Sequence, residues 1–141
     1  MTNKWNWATA HDTKGAGIVV VKKLKDGWKV LGLWKHGGFD IPKGHIEEDE
    51  KVFEAALRET YEETKINKLN FQWGKSGVRA HKLSVFLAST TQEPRITFNK
   101  EDNKFEHEFA EWLTWEEMKA ECYDYLLPII QWAEQRVVNA T

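Results

Sequence analysis

Glu59, Glu62 and Glu63 stand at positions i, i+3 and i+4. On a helix that spacing puts three carboxylates on one face, about one turn apart. Like charges so close destabilise a helix unless something neutralises them. A hard divalent cation does this, because Mg²⁺ and Mn²⁺ prefer carboxylate oxygens and leave positions for phosphate and water. Arg58 precedes the first of the three, and its planar fork suits the fixing of a carboxylate. A solvated acidic face is the ordinary meaning of such a charge run. It accounts for neither the glycine six residues before Glu50 nor the arginine at 58.

The whole stretch from Gly44 to Ile66, GHIEEDEKVFEAALRETYEETKI, resembles the Nudix box, G-x5-E-x7-R-E-U-x-E-E-x-G-U with U aliphatic. Gly44, Glu50, Arg58, Glu59, Glu62, Glu63 and Ile66 fall in register. Thr60 takes an aliphatic position, where its methyl can still pack, and Lys65 takes the second glycine. That glycine would sit just past the helix end in a left-handed conformation, where a lysine costs roughly 1 kcal/mol. The resemblance implies an α+β fold of the Nudix type, a mixed β-sheet sandwiched between α-helices, as a single domain over residues 1–141. It also implies metal-dependent cleavage of a phosphoanhydride. Mg²⁺ (or Mn²⁺) would be held by Glu59, Glu62, Glu63 and the Gly44 carbonyl. Arg58 would orient a box carboxylate, and Glu50 would support the cluster.

The flanking segments resemble one group within that family. FDIPKGHIEEDE is similar to the W-x-x-P-K-G-H-x-x-x-x-E segment of dinucleoside tetraphosphate hydrolases and their diphosphoinositol-polyphosphate relatives, with Phe39 in place of the tryptophan. Lys43 would then project toward metal-bound phosphates as a point charge. Lys35 and His36, just upstream, would meet distal phosphates. KFEHEFAEWL is similar to the E-H-x-x-x-x-W-L segment of the same hydrolases. That match assigns Glu106 a role as further metal ligand or base, with Glu108 as the alternative. His81 and Lys82 fall where those hydrolases carry a phosphate-binding lysine, and Tyr123 roughly matches a base-stacking aromatic. The implied partner is a small nucleotide, foremost diadenosine tetraphosphate, cut asymmetrically. An RNA 5′ end, ADP-ribose or a nucleoside triphosphate remains an alternative substrate, and a non-catalytic nucleotide-binding sensor is the alternative from another class.

Composition is consistent with a small enzyme. A chain of 141 residues holds one domain with a real core. A net charge of −2 does not suggest a nucleic-acid binder. The lone Cys122 excludes an internal disulfide and fits a reducing compartment, so the expected location is cytoplasmic. No apolar run reaches membrane-spanning length, and the amino terminus carries no hydrophobic signal core. The sequence sets no oligomeric state.

The elements that must position these residues are punctuated clearly. The β-branched run 17–23 predicts a buried strand, and 28–34 a hairpin partner after Asp26-Gly27. Residues 39–41 form a short extended piece stopped by Pro42. Asp49 is the expected N-cap of a helix over 50–64, with Val52, Ala55 and Ala56 inward. Strands are expected over 69–73, 78–89, 96–98 and 109–113. Thr114 caps a short helix over 115–120, and Leu126, Ile129, Ile130 and Ala133 mark a last helix over 123–138. Pro128 stands near the start of that helix.

Overall fold

The computed structural model describes residues 13–96, 98–99 and 104–140. The expectation for 96–98 lies partly outside them, as does most of the amino-terminal segment read for a signal core. The β-branched run forms β1 (Gly15–Leu24), and a two-residue turn at Lys25-Asp26 returns the chain as β2 (Gly27–Lys35). Then follow β3 (Gly38–Asp40), β4 (Lys43–His45), α1 (Val52–Thr64), β5 (Val78–Ala80) and β6 (Leu83–Ser89). After β7 (Phe98–Asn99) and β8 (Lys104–Phe105), the chain closes with β9 (Phe109–Leu113), α2 (Trp115–Glu121) and α3 (Leu127–Asn139).

Seven strands make one mixed sheet in the order β3-β2-β1-β6-β5, with β4 also on β1 and β9 on β2. Strand β1 is central and runs parallel to β6, from Gly15 opposite Leu83 to Val21 opposite Ser89. Its side chains divide between two apolar layers. Val19 and Val21 pack with Met118 of α2 and Ile129, Ile130 and Ala133 of α3. Ala16, Ile18 and Val20 pack with Ala55 and Ala56 of α1 and with Ile66. Burial on both faces explains why β1 reads as a continuous apolar run and not as an alternation. The sandwich is the expected α+β architecture. Among the described residues no helix is long and apolar enough to cross a membrane.

Several boundaries differ from the expectation. Helix α1 begins at Val52, and its N-cap is Lys51, not Asp49. Asp49 is instead a left-handed turn residue at φ 65, a conformation that a short polar side chain tolerates. A lysine side chain has no acceptor, so only the return half of a capping box forms, with the Lys51 amide donating to Glu54 at 3.1 Å. The stretch 69–73 is not a strand. Asn70 and Ser89 exchange one pair of backbone bonds, and the chain then turns, the Gly74 amide donating to the Phe71 carbonyl at 3.0 Å. The stretch 78–89 is two strands, because His81 and Lys82 both adopt positive φ (55 and 62) in a tight hairpin turn. Pro128 lies in the first turn of α3, where its missing N–H costs nothing, and a single 3-10 turn at Asp124–Leu126 precedes it.

The two departures inside the box are accommodated. Lys65 holds the left-handed C-cap at φ 62, its amide donating to the Tyr61 carbonyl at 2.8 Å. Its ammonium lies 4.7 Å from the Tyr61 ring centroid. Thr60 is fully buried, and its hydroxyl has no hydrogen-bond partner among the described residues.

Candidate active site

Arg58 organises the first half of the site. Its Nε and Nη2 donate to the two oxygens of Glu50 at 2.8 and 3.0 Å, a bidentate pair. Nη1 donates to Glu59 at 2.9 Å and to Glu62 at 3.2 Å, and Nη2 also reaches the His45 carbonyl at 2.9 Å. One guanidinium therefore ties the loop before α1, strand β4 and two box carboxylates together. These bonds hold the Glu50 carboxyl down at about 2. They raise the already high pKa of Arg58 itself.

In the second half, no cation is paired with Glu63 among the described residues. Glu63 is 7% exposed, and one bond is recorded to it, the Lys43 amide donating at 3.3 Å. Burial first, and then the charges of Glu106, Asp40 and Glu59, push its carboxyl up to about 9. Burial also raises Glu59, against the pull of Arg58. The box glycine has a packing reason here. A Cβ on Gly44 would lie 2.0 Å from the Glu59 carboxyl carbon, so only glycine lets that carboxylate rest against β4. Glu106 arrives from the segment between β8 and β9, half-exposed, with the Lys35 ammonium 4.0 Å away.

A basic wall faces these acids. Asp40 is 5% exposed and holds the Lys43 ammonium at 3.2 Å, while His107 Nε2 lies 3.6 Å away, itself buried. Burial raises the Asp40 carboxyl, but His107, Lys43 and the Ile41 amide outweigh it and keep the group below its ordinary range. Lys43 is opposed by burial and yet raised, by Asp40 and then Tyr125. A cleft of about 330 Å³ opens in front, lined by Lys14, Lys43, Gly44, Lys82, Glu106 and Tyr125 among others.

The structure gathers most of the expected residues but not all of them. Gly44, Lys43, His81, Lys82 and Glu106 line the cleft. Glu50, Arg58, Glu59 and Glu62 form the paired node beside it. Lys35 reaches only the rim at Glu106, and His36 is exposed in the β2–β3 turn at φ 51. Tyr123 does not line the cleft. Its hydroxyl donates to the Lys35 carbonyl, and its ring packs on Gly38, where a Cβ would lie 3.0 Å away. Tyr125 is the aromatic that faces the cleft, stacked on Tyr123 at 6.3 Å and edge-on to His81 at 6.0 Å. Asp40, His107 and Tyr125 are thus residues the sequence reading did not assign. An acid between Phe39 and Ile41, in an otherwise apolar strand, is the signal for Asp40.

The donor set fits a hard divalent cation. Glu63 is a buried carboxylate among like charges, the setting in which a cation is the natural counterpart. Among the described residues no three carboxylate, imidazole or thiol groups form a ready cage. Arg58 draws Glu59 and Glu62 onto one of its own nitrogens, so both would swing away from it to meet an ion.

Residues 8–133 match the family model described as the NUDIX domain. A search of curated proteins finds no match. Among solved structures, an Ap4A hydrolase of C. elegans in a binary complex superposes with a TM-score of 0.72 at 21% identity, covering 89% of this chain and 99% of that one. The dihydroneopterin triphosphate pyrophosphohydrolase of E. coli gives 0.59 at 24% identity over 88% and 95% of the two chains. The NUDIX domain of Shewanella oneidensis NrtR, complexed with ADP ribose, gives 0.60 at 17% over 92% and 88%. These likenesses carry the fold; the family model spans most of the sequence and includes the whole box, and the chain belongs to the Nudix hydrolase family.

Proposed function

We propose that the protein, acting as one domain, is a Mg²⁺- or Mn²⁺-dependent pyrophosphohydrolase. Its preferred substrate is diadenosine tetraphosphate, cut asymmetrically to a nucleoside monophosphate and the remaining nucleotide. The observation that carries this reading is the cleft beside the box. There Lys14, Lys43 and Lys82 extend positive charge away from the carboxylates, and Tyr125 offers a ring. A polyphosphate longer than a diphosphate needs charge beyond the metals to neutralise it.

Glu59, Glu62, Glu63 and Glu106, with the Gly44 carbonyl, would hold the ions. When bound, they supply charge neutralisation at the phosphoanhydride and a lowered pKa for coordinated water. Arg58 fixes Glu50, just before α1, and the β4 backbone at His45, so that the frame around the carboxylates survives substrate binding, and it orients Glu59 until an ion draws that carboxylate away. Glu106, half-exposed at the cleft, orients the attacking water and accepts its proton, with Glu59 close by. Lys43 is held by Asp40 and meets the phosphate oxygens beyond the cut. Tyr125 stacks on a base, with His81 and Lys82 at the opposite lip. A cytoplasmic setting agrees with Cys122, a free thiol that burial pushes up to about 11 and so keeps unreactive.

The test compares kcat/KM for diadenosine tetraphosphate, ADP-ribose, 5′-triphosphorylated RNA and deoxynucleoside triphosphates, with products identified. Lys43→Ala is expected to penalise the tetraphosphate more than ADP-ribose. A wide advantage for ADP-ribose or for the RNA would overturn the substrate assignment and leave the box chemistry standing.

A further inference from the structure

A second cavity, of about 290 Å³, is lined by Thr13, Val52, Gly77, Arg79, Ser84 and Phe86 among others, none of them acidic. Arg79 lies on β5, and its Nη1 is buried with no hydrogen-bond partner among the described residues. Thr13 and Ser84 are 8% and 6% exposed, and their hydroxyl oxygens lie 3.4 Å apart. A guanidinium does not discard its charge, so a dry and unpaired N–H on it bears the full desolvation penalty of a charged donor. Arg58 shows the contrast within the same chain, with every nitrogen engaged.

We infer that this cavity binds a small organic anion. A carboxylate or phosphate head would meet Arg79, Thr13 and Ser84, and an apolar body would lie against Val52 and Phe86. The planar fork of arginine matches two oxygens of such a head. Val52 is the first residue of α1, so the positive end of that helix borders the cavity. The volume stands at the lower end for ligand pockets, which favours a ring-sized ligand over a nucleotide. The cavity is distinct from the catalytic cleft. Ser84 lines one and Leu83 the other, and adjacent residues of a strand point to opposite faces. Its occupancy does not depend on which phosphoanhydride is cut.

Calorimetric titration of the full chain in EDTA tests this with three probes: benzoate, phenyl phosphate and inorganic phosphate. The wild type is expected to bind benzoate or phenyl phosphate more tightly than inorganic phosphate, and the better of the two identifies the head group. Arg79→Met should weaken that binding by about tenfold or more, the loss of a charge-assisted pair. Lys43→Ala, in the catalytic cleft, should leave it unchanged. Metal-free Arg79→Met should melt no lower than wild type, because the substitution removes an unpaired buried donor. The proposal is overturned if no probe binds the wild type at millimolar concentration, or if Arg79→Met binds as well. It is equally overturned if the loss appears in Lys43→Ala instead, or if Arg79→Met melts far below wild type, which would reveal a structural partner for Arg79.

Discussion

Glu50 sits just before α1 and Glu63 in its last turn, and the two identical side chains have opposite surroundings. Glu50 receives both arms of Arg58 and is held at about 2. Glu63 is buried among Glu106, Asp40 and Glu59 and is driven to about 9. One carboxylate has its cation built into the chain, and the other, among the described residues, accepts from one amide and is surrounded by three acids. Within one motif, Glu50 is tied by Arg58 into the loop before α1, while Glu63, buried among acids, is the carboxylate whose charge an external cation would balance.

The largest effect expected from this contrast is on rate. Glu63→Gln keeps the shape and removes the charge. Its kcat with saturating Mg²⁺ should fall by about two to three orders of magnitude, the scale of losing one preorganised electrostatic contact. Wild-type turnover in that variant would erase the distinction between the two glutamates. Glu50→Gln should cost less, about ten- to hundredfold, as for partners that orient ligands without binding the ion. It should also lower the melting temperature, since Arg58 loses its bidentate acceptor. Equal losses in both variants would mean that Glu50 is itself a ligand.

The pH dependence of stability has opposite signs at the two positions. The folded pKa of Glu63 is raised from the ordinary 4.5 to about 9. Its contribution is therefore present below pH 4.5 and is lost as pH rises toward 9. Glu50 is depressed from 4.5 to about 2, so its contribution is present above pH 4.5 and lost as pH falls toward 2. In EDTA, the melting temperature of Glu63→Gln relative to wild type should climb from about pH 5 to about pH 9, as the wild-type carboxylate ionises in place. Saturating Mg²⁺ should reverse the order, because only the wild type gains the full binding energy of the ion. Thermal melts across pH, with and without metal, check both signs, and a flat difference would deny Glu63 its buried, unpaired state.

The smallest effect concerns the helix that follows Glu50 and carries Glu63. Thr60 is fully buried, with a hydroxyl that has no partner among the described residues, on the face of α1 away from solvent. Thr60→Val should raise stability by about 1 kcal/mol without changing kcat, since it removes an unsatisfied polar atom at nearly constant volume. A destabilised variant in urea melts would mean that the hydroxyl has a partner, and that α1 depends on it.

The sequence by itself determined what is local. The i, i+3, i+4 period puts Glu59, Glu62 and Glu63 on one stretch of helix, and the box spacing brings Gly44, Glu50 and Arg58 to them. Helical period and turn chemistry are short-range, and the same locality fixed β1, β2, β9 and the Thr114 cap. Tertiary structure alone decided how adjacent residues divide. Glu62 is exposed and Glu63 buried, and Tyr125 faces the cleft where Tyr123 packs on Gly38. The loop residue His107 is buried against Asp40, which in turn holds Lys43. These outcomes depend on contacts across tens of residues, where burial and the charges of distant strands set both direction and protonation. A carboxylate's neighbours along the chain do not reveal whether water or another acid will face it once the sheet has closed.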